Sequence, residues 1–271
     1  MKRMPLLLAA LLVSLMGMAA VKTIEKINTT LVPNSPMEVT VLVPEGYEPG
    51  TQFPTVYLLN GYDGNHTSWS STQPDLGKLA DQYGMVIVMP DGRDSWYWDS
   101  PAHPEMKMES FITTELVPYI DSNFPTLPSA DKRAITGLSM GGQGAMYLAM
   151  RHPDLFKNVG STSGGLDIRA FPKNWKMANW LGDAATNQDV WEEHAIPTLA
   201  AQLQPGQLNI IFDCGVDDFF AGVNNALHEQ LVAAGIPHDY ISRPGAHTHP
   251  YWRNAILYQL LYFNQAFNNS K

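Results

Sequence analysis

RAITGLSMGGQGAMYLAMR, residues Arg133 to Arg151, reads as a strand, a sharp turn and a helix in direct succession. Ala134-Ile135-Thr136 is β-prone, Gly137-Leu138-Ser139-Met140-Gly141 makes the turn, and Gln143 to Met150 favours a helix. A serine at the apex of G-x-S-x-G between a strand and a helix is a nucleophile elbow. The turn is tight enough to strain the serine backbone, and Gly137 and Gly141 permit it because they carry no Cβ atoms to clash. Free N–H groups and the positive dipole end at the start of the following helix would stabilise an oxyanion formed at Ser139.

Working outward, the segments on either side repeat a pattern of buried strand and amphipathic helix. Lys22 to Val32 and Met37 to Val43 read as an opening β pair, broken by Pro33, Asn34 and Pro36. Phe53 to Leu59 and Met85 to Met89 are continuous apolar runs of strand length, as expected of strands covered on both faces. A helix is expected from Asp75 to Tyr83, closed by Gly84, and another from Glu109 to Phe124 with a kink at Pro118. Beyond the elbow come strands at Asn158 to Ser163, Leu208 to Phe212 and His238 to Ser242, and helices at Val223 to Ala234 and Tyr251 to Phe267. Between Leu166 and Gly206 the pattern loosens into short helices that suggest a small cap.

Strands alternating with helices at this spacing predict one α/β domain over residues 21–271, with a mostly parallel central sheet and helices on both faces. The length suits a single domain of this class. In such sheets ligands bind at the carboxyl ends of the strands. The net charge of −9, from 17 basic and 26 acidic residues, disfavours nucleic acid and anionic membranes as partners.

Met1 to Ala20 reads as a signal peptide, with Lys2 and Arg3 before an apolar core from Leu6 to Leu15 and small residues at Ala19 and Ala20. That core is too short to anchor the chain in a membrane. The expected destination is therefore the periplasm or the exterior. The lone Cys214 excludes an internal disulfide and reads as a small buried hydrophobe at the end of a strand.

A serine hydroxyl needs a base to take its proton, and histidine suits because its pKa lies near neutrality. A carboxylate must then fix the imidazole tautomer. The strand ending at Phe212 exits into Asp213-Cys214-Gly215-Val216-Asp217-Asp218-Phe219, and the one after His238 exits into Pro244-Gly245-Ala246-His247-Thr248-His249. Serine, acid and histidine thus follow three strands in the order that this architecture requires. His66, His103, His152, His194, His228 and His238 read as surface or structural residues. The His247-x-His249 spacing suits a metal pair, but no cysteine or acidic cluster completes a zinc site, so no metal and no cofactor are expected.

Four segments carry a family resemblance: Leu58-Leu59-Asn60-Gly61, Gly137-Leu138-Ser139-Met140-Gly141-Gly142, Cys214-Gly215-Val216-Asp217-Asp218-Phe219, and Gly245-Ala246-His247 followed by Trp252. Together they resemble the esterase D group of α/β-hydrolases. That group includes tributyrin esterases, S-formylglutathione hydrolases, the antigen 85 mycolyltransferases, and the feruloyl and acetylxylan esterases of carbohydrate esterase family 1. The resemblance implies Ser139 as nucleophile, His247 as general base and Asp218 as its acid, with Asp217 a second choice. It implies an oxyanion hole made by the backbone N–H groups of Tyr62 and Met140, in a chain that carries Asn60 where the family commonly has histidine. It also implies that the Trp96 to Asp99 loop, with Trp96, Trp98 and Asp99, borders the substrate pocket.

The expected activity is that of an exported serine carboxylesterase acting on short acyl, acetyl or feruloyl esters, on small molecules or on plant polysaccharide. Tryptophans in exposed loops favour the polysaccharide, since aromatic faces stack on sugar rings and phenolic acids. The alternatives are a general tributyrin-type esterase, an acyltransferase, or a catalytically silent carbohydrate-binding protein on the same scaffold.

Overall fold

The computed structural model describes residues 20–270. The segment read as a signal peptide, up to residue 19, lies outside them.

Eight strands form one sheet: β1 (Val21–Ile27), β2 (Met37–Val43), β3 (Thr55–Leu59), β4 (Val86–Pro90), β5 (Arg133–Gly137), β6 (Asn158–Thr162), β7 (Asn209–Gly215) and β8 (Asp239–Arg243). Their spatial order is β1-β2-β4-β3-β5-β6-β7-β8. β1 and β2 pair antiparallel, as do β2 and β4, and every later pairing is parallel. The strand order reverses at β3 and β4, so β5 lies centrally and its carboxyl end opens beside that of β3. This is the α/β-hydrolase architecture: a mostly parallel sheet with helices on both faces.

Alternation along each central strand builds two apolar layers. Tyr57 and Leu59 of β3 join Val86 and Val88 of β4 beneath the helices Met140–Arg151 and Ala221–Ala233. Val56, Leu58, Ile87 and Met89 face the other way, against the helices Leu76–Tyr83 and His249–Asn269. Each layer is continuous, and the sheet residues of β3, β4 and β5 are buried on both sides.

The single helix expected over Glu109 to Phe124 is instead three pieces. Met108–Ser110 is α-helical, Phe111–Leu116 winds as a π-helix, and Val117–Asn123 returns to the α form with Pro118 in its first turn. A proline inside an α-helix removes a donor and presses its ring on the carbonyl one turn back, and the wider π turn relieves both conflicts. The elbow helix starts at Met140, earlier than its glycines suggest. Between residues 166 and 206 a 3-10 turn at Ile168–Ala170 and the short helices Met177–Leu181, Gln188–Glu193 and Ile196–Ala200 lie between β6 and β7.

A buried polar network ties the strands that carry the site to the C-terminal helix. Asp213 on β7 accepts hydrogen bonds from Thr162 Oγ1 on β6 at 2.6 Å and from Gln259 Nε2 at 2.7 Å. Gln259 Oε1 in turn accepts from Thr136 Oγ1 on β5. Gly160 leaves the room for this, because a Cβ there would stand 2.5 Å from Gln259 Oε1. Burial pushes the Asp213 carboxyl up to about 6 from 3.8, against these hydrogen bonds.

The folded value exceeds the unfolded one. The stability that protonated Asp213 contributes is therefore complete below about pH 4 and lost as pH rises through about 6, at roughly 3 kcal/mol. Urea unfolding of Asp213→Asn should accordingly show its stability rising relative to wild type by about that much between pH 4 and pH 7. A pH-independent difference between the two proteins contradicts this reading.

Candidate active site

The carboxyl ends of β3, β5, β7 and β8 deliver the loops that form the site. Ser139 lies between β5 and its helix at φ 56° and ψ −117°, a region that L residues rarely occupy. Three backbone hydrogen bonds lock the turn: Ser139 N–H to Thr162 O at 3.0 Å, Gly141 N–H to Leu138 O at 2.8 Å and Gln143 N–H to Ser139 O at 3.1 Å. The flanking glycines are needed for close approach. A Cβ on Gly137 would stand 2.5 Å from the Gly141 backbone, and one on Gly141 would stand 2.3 Å from Leu59 O. The elbow helix is thereby pressed against the end of β3, and Met140 to Met150 are all buried.

His247 leaves β8 through Gly245, which sits at φ 145° with its carbonyl where a Cβ on Gly215 would fall, 2.2 Å away. The imidazole Nε2 is 2.9 Å from Ser139 Oγ, and Nδ1 is 2.9 Å from Asp218 Oδ2. The second carboxylate oxygen of Asp218 accepts the Phe220 N–H at 2.8 Å. Burial pushes the Asp218 carboxyl up, but the hydrogen bonds from His247 and from the Phe220 amide outweigh it and hold the group below its ordinary value. The carboxylate is thus ionised at neutral pH, fixes the proton on Nδ1, and leaves Nε2 as the acceptor for the serine proton. Asp217 is exposed, and its backbone N–H rather than its side chain joins the loop, donating to Gly245 O at 2.9 Å. Of the two adjacent aspartates, the structure brings Asp218 to the histidine.

Aromatic rings wall the imidazole. Phe219 lies 4.3 Å from it between ring centroids, Phe220 5.4 Å, and Trp252 4.9 Å with the ring planes at 88°. Met140 is the first residue of the elbow helix, so its N–H has no partner within the helix, and the Tyr62 N–H donates to no acceptor among the described residues. Both are main-chain donors beside Ser139, Met140 at the helix start and Tyr62 on the loop after β3. The Asn60 side chain braces the Tyr62 loop: Nδ2 donates to Gly61 O at 2.9 Å, and Oδ1 accepts from the Gly92 N–H at 2.8 Å and the Tyr97 hydroxyl at 3.1 Å.

These loops enclose a pocket of about 340 Å³ beside Ser139. Trp175 and Phe219, stacked 5.7 Å apart at 22°, form one wall. Asp63, Ser68 and His249 form a polar one, and Trp252 lines the pocket as well.

The expected substrate contacts in the Trp96 to Asp99 loop are corrected by the structure. Trp96 and Trp98 are 1% and 0% exposed, stack on one another at 5.5 Å, and line no part of this pocket. Asp99 accepts from the Ser110 N–H at 2.9 Å and from the Ser110 hydroxyl, holding the first turn of the helix that begins at Met108. It borders a separate cavity with Glu109 and Tyr147. The loop turns inward where Trp96 and Tyr97 both take positive φ, at 55° and 64°, and both residues are buried, rings and backbone alike. Its contribution to the site is indirect, through the Tyr97 hydroxyl on Asn60. The aromatic wall that sequence reasoning missed comes from Phe219, next to the acid, and from Trp175 in the cap.

A strained serine, an imidazole and a buried carboxylate in one hydrogen-bonded chain, on this sheet, define a serine hydrolase. Residues 30–263 match the esterase family model described as "Putative esterase", and the chain belongs to that family. It is a serine carboxylic ester hydrolase. It is similar to an acetyl esterase of Caldicellulosiruptor saccharolyticus, with 30% identity over 216 residues covering 74% of this chain and 80% of that protein. Among solved structures it resembles FphF, a fluorophosphonate-binding serine hydrolase of Staphylococcus aureus, at TM-score 0.80 and 19% identity over 91% of this chain and 99% of that one. A ferulic acid esterase superposes at TM-score 0.78 with 24% identity, over 92% of this chain and 100% of the other.

Proposed function

We propose that the protein is an exported esterase that removes acetyl or feruloyl groups from plant polysaccharide through a Ser139-His247-Asp218 acyl-enzyme mechanism. The reading is carried by the unbroken chain of contacts from hydroxyl to imidazole to carboxylate, at 2.9 Å and 2.9 Å. Ser139 Oγ attacks the ester carbonyl while His247 Nε2 takes its proton. The oxyanion is held by the Met140 and Tyr62 amides, each such donor being worth on the order of 3 kcal/mol in the transition state. His247 then protonates the departing alcohol oxygen, and a water molecule activated by the same nitrogen releases the acid. No metal or organic cofactor takes part in this scheme.

Three features support the substrate class. The pocket, at about 340 Å³, has room for an acetyl or a single-ring acyl group. The Trp175 and Phe219 stack presents a flat apolar face for a phenolic ring or a sugar ring. The basic and then apolar opening of the sequence, Lys2 and Arg3 before Leu6 to Leu15, supports export to where such polymers are met.

The test is a substrate panel of acetylated xylan, methyl ferulate and tributyrin at equal ester concentration. Higher kcat/KM on acetylated xylan or methyl ferulate than on tributyrin is expected. A clear preference for tributyrin contradicts the polysaccharide assignment.

A further inference from the structure

Next to the triad stands a second histidine whose neutral tautomer the hydrogen bonds fix. His249 opens the C-terminal helix two residues after His247 and lines the same pocket. Its Nδ1 lies 2.9 Å from Thr72 Oγ1. The Thr72 hydroxyl has one proton, and it donates that proton to Ser68 O at 3.0 Å. Both contacts are hydrogen bonds at once only if Oγ1 accepts from His249, so the neutral ring carries its proton on Nδ1. Nε2 is then a bare lone pair, with no hydrogen-bond partner among the described residues, on a residue that lines the pocket. The indole of Trp252 packs near-perpendicular to both imidazoles, 4.9 Å from His247 and 5.0 Å from His249.

The placement of that acceptor says which part of a substrate it meets. His247 must reach the leaving oxygen to protonate it, so the groups adjoining His247 on its own loop flank the alcohol half of the ester. Ser68 lies on this wall too, since the turn of helix that carries it holds Thr72. Asp63 adds a further acceptor, at φ 60° in the turn that Gly64 closes back onto Gly61. A wall rich in acceptors discriminates in favour of an alcohol that brings its own hydroxyl donors, and against a plain alkyl one.

We propose that His249 is a specificity residue of this site, accepting through Nε2 a hydrogen bond from a free hydroxyl on the leaving alcohol. The inference rests on the ester hydrolysis proposed above and names the feature of the alcohol that the site reads. It requires no covalent step by His249.

The test compares two acetates with the same acyl group, glyceryl monoacetate and ethyl acetate, with an acetylated xylo-oligosaccharide as a third substrate. In His249→Leu the ratio of kcat/KM for glyceryl monoacetate over ethyl acetate should fall about tenfold, and His249→Gln, which keeps an acceptor, should recover part of it. The ratio does not depend on how much of a variant is folded, so a purely structural effect leaves it unmoved. A ratio within about twofold of wild type in His249→Leu overturns the proposal. Poor wild-type turnover of the oligosaccharide alone would sink the polysaccharide assignment instead, while the glyceryl-to-ethyl comparison still decides the role of His249.

Discussion

Ser139→Ala is expected to lower kcat for a chromogenic acetate ester by about 10^5-fold or more while leaving the fold intact. The serine supplies the atom that forms the acyl-enzyme, and it is the hydroxyl that His247 Nε2 contacts. Cys214, the single cysteine, is buried, and burial pushes its thiol well above the ordinary range, so little thiolate exists there. Alanine also takes positive φ with strain, as serine does, so the substitution removes the hydroxyl without a new steric conflict. Steady-state kinetics with circular dichroism on the same sample check both halves of the expectation. Retention of more than about a hundredth of wild-type kcat would mean that the chemistry runs elsewhere.

Asp218→Asn should cost about 10^4-fold in kcat, and Asp217→Asn less than about twofold. Asparagine at 218 can still accept the Phe220 N–H through its carbonyl oxygen, but it then points its amide N–H₂ at Nδ1. The imidazole is driven to the tautomer protonated on Nε2, where it has no lone pair for the serine proton. The carboxylate that stabilises the imidazolium is lost as well. Asp217 is one position away and carries the same charge, but it is exposed, so screening by water leaves it little influence on the ring. The pair of variants separates proximity in sequence from contact in space.

A pH consequence follows for stability. Asp218 is held below its unfolded value, so its contribution is present above about pH 4 and lost as pH falls through the lowered folded value. Asp213, raised above its unfolded value, acts in the opposite sense.

The parts of this site that are legible in sequence are those written locally. The G-x-S-x-G turn imposes its geometry within a few residues, and the apolar runs of β3, β4 and β7 announce buried strands by composition. The order of serine, acid and histidine follows from where those strands end. The choice between Asp217 and Asp218 is not local, because only packing against Phe220 and His247 buries one and leaves the other in water; motif matching alone ranked them.

The Trp96 to Asp99 loop misled for a related reason. Its Asp, Arg and Ser neighbours suggest exposure, whereas two consecutive residues at positive φ turn the rings inward, and composition carries no sign of that. The start of the elbow helix was also hidden. Gly141, Gly142 and Gly144 lower helix propensity, yet each is required where a Cβ would strike Leu59, Ser161 or Tyr97, and tertiary packing overrides the local preference. In sequence the His247-x-His249 spacing suits a metal pair that no further ligand completes. In the fold the Nδ1 of His249 belongs to Thr72, 177 residues away along the chain, and the spacing serves a different end.

The convergence of Ser139, His247 and Asp218 is tested most directly by covalent labelling with a fluorophosphonate, followed by intact-protein and peptide mass spectrometry. Attack on phosphorus needs a serine activated by its base, so wild type should gain a single adduct on the peptide that contains Ser139. Asp218→Asn should label far more slowly, and Ser139→Ala should not label at all. An adduct on any other residue, or equal labelling rates in wild type and Asp218→Asn, would contradict the account.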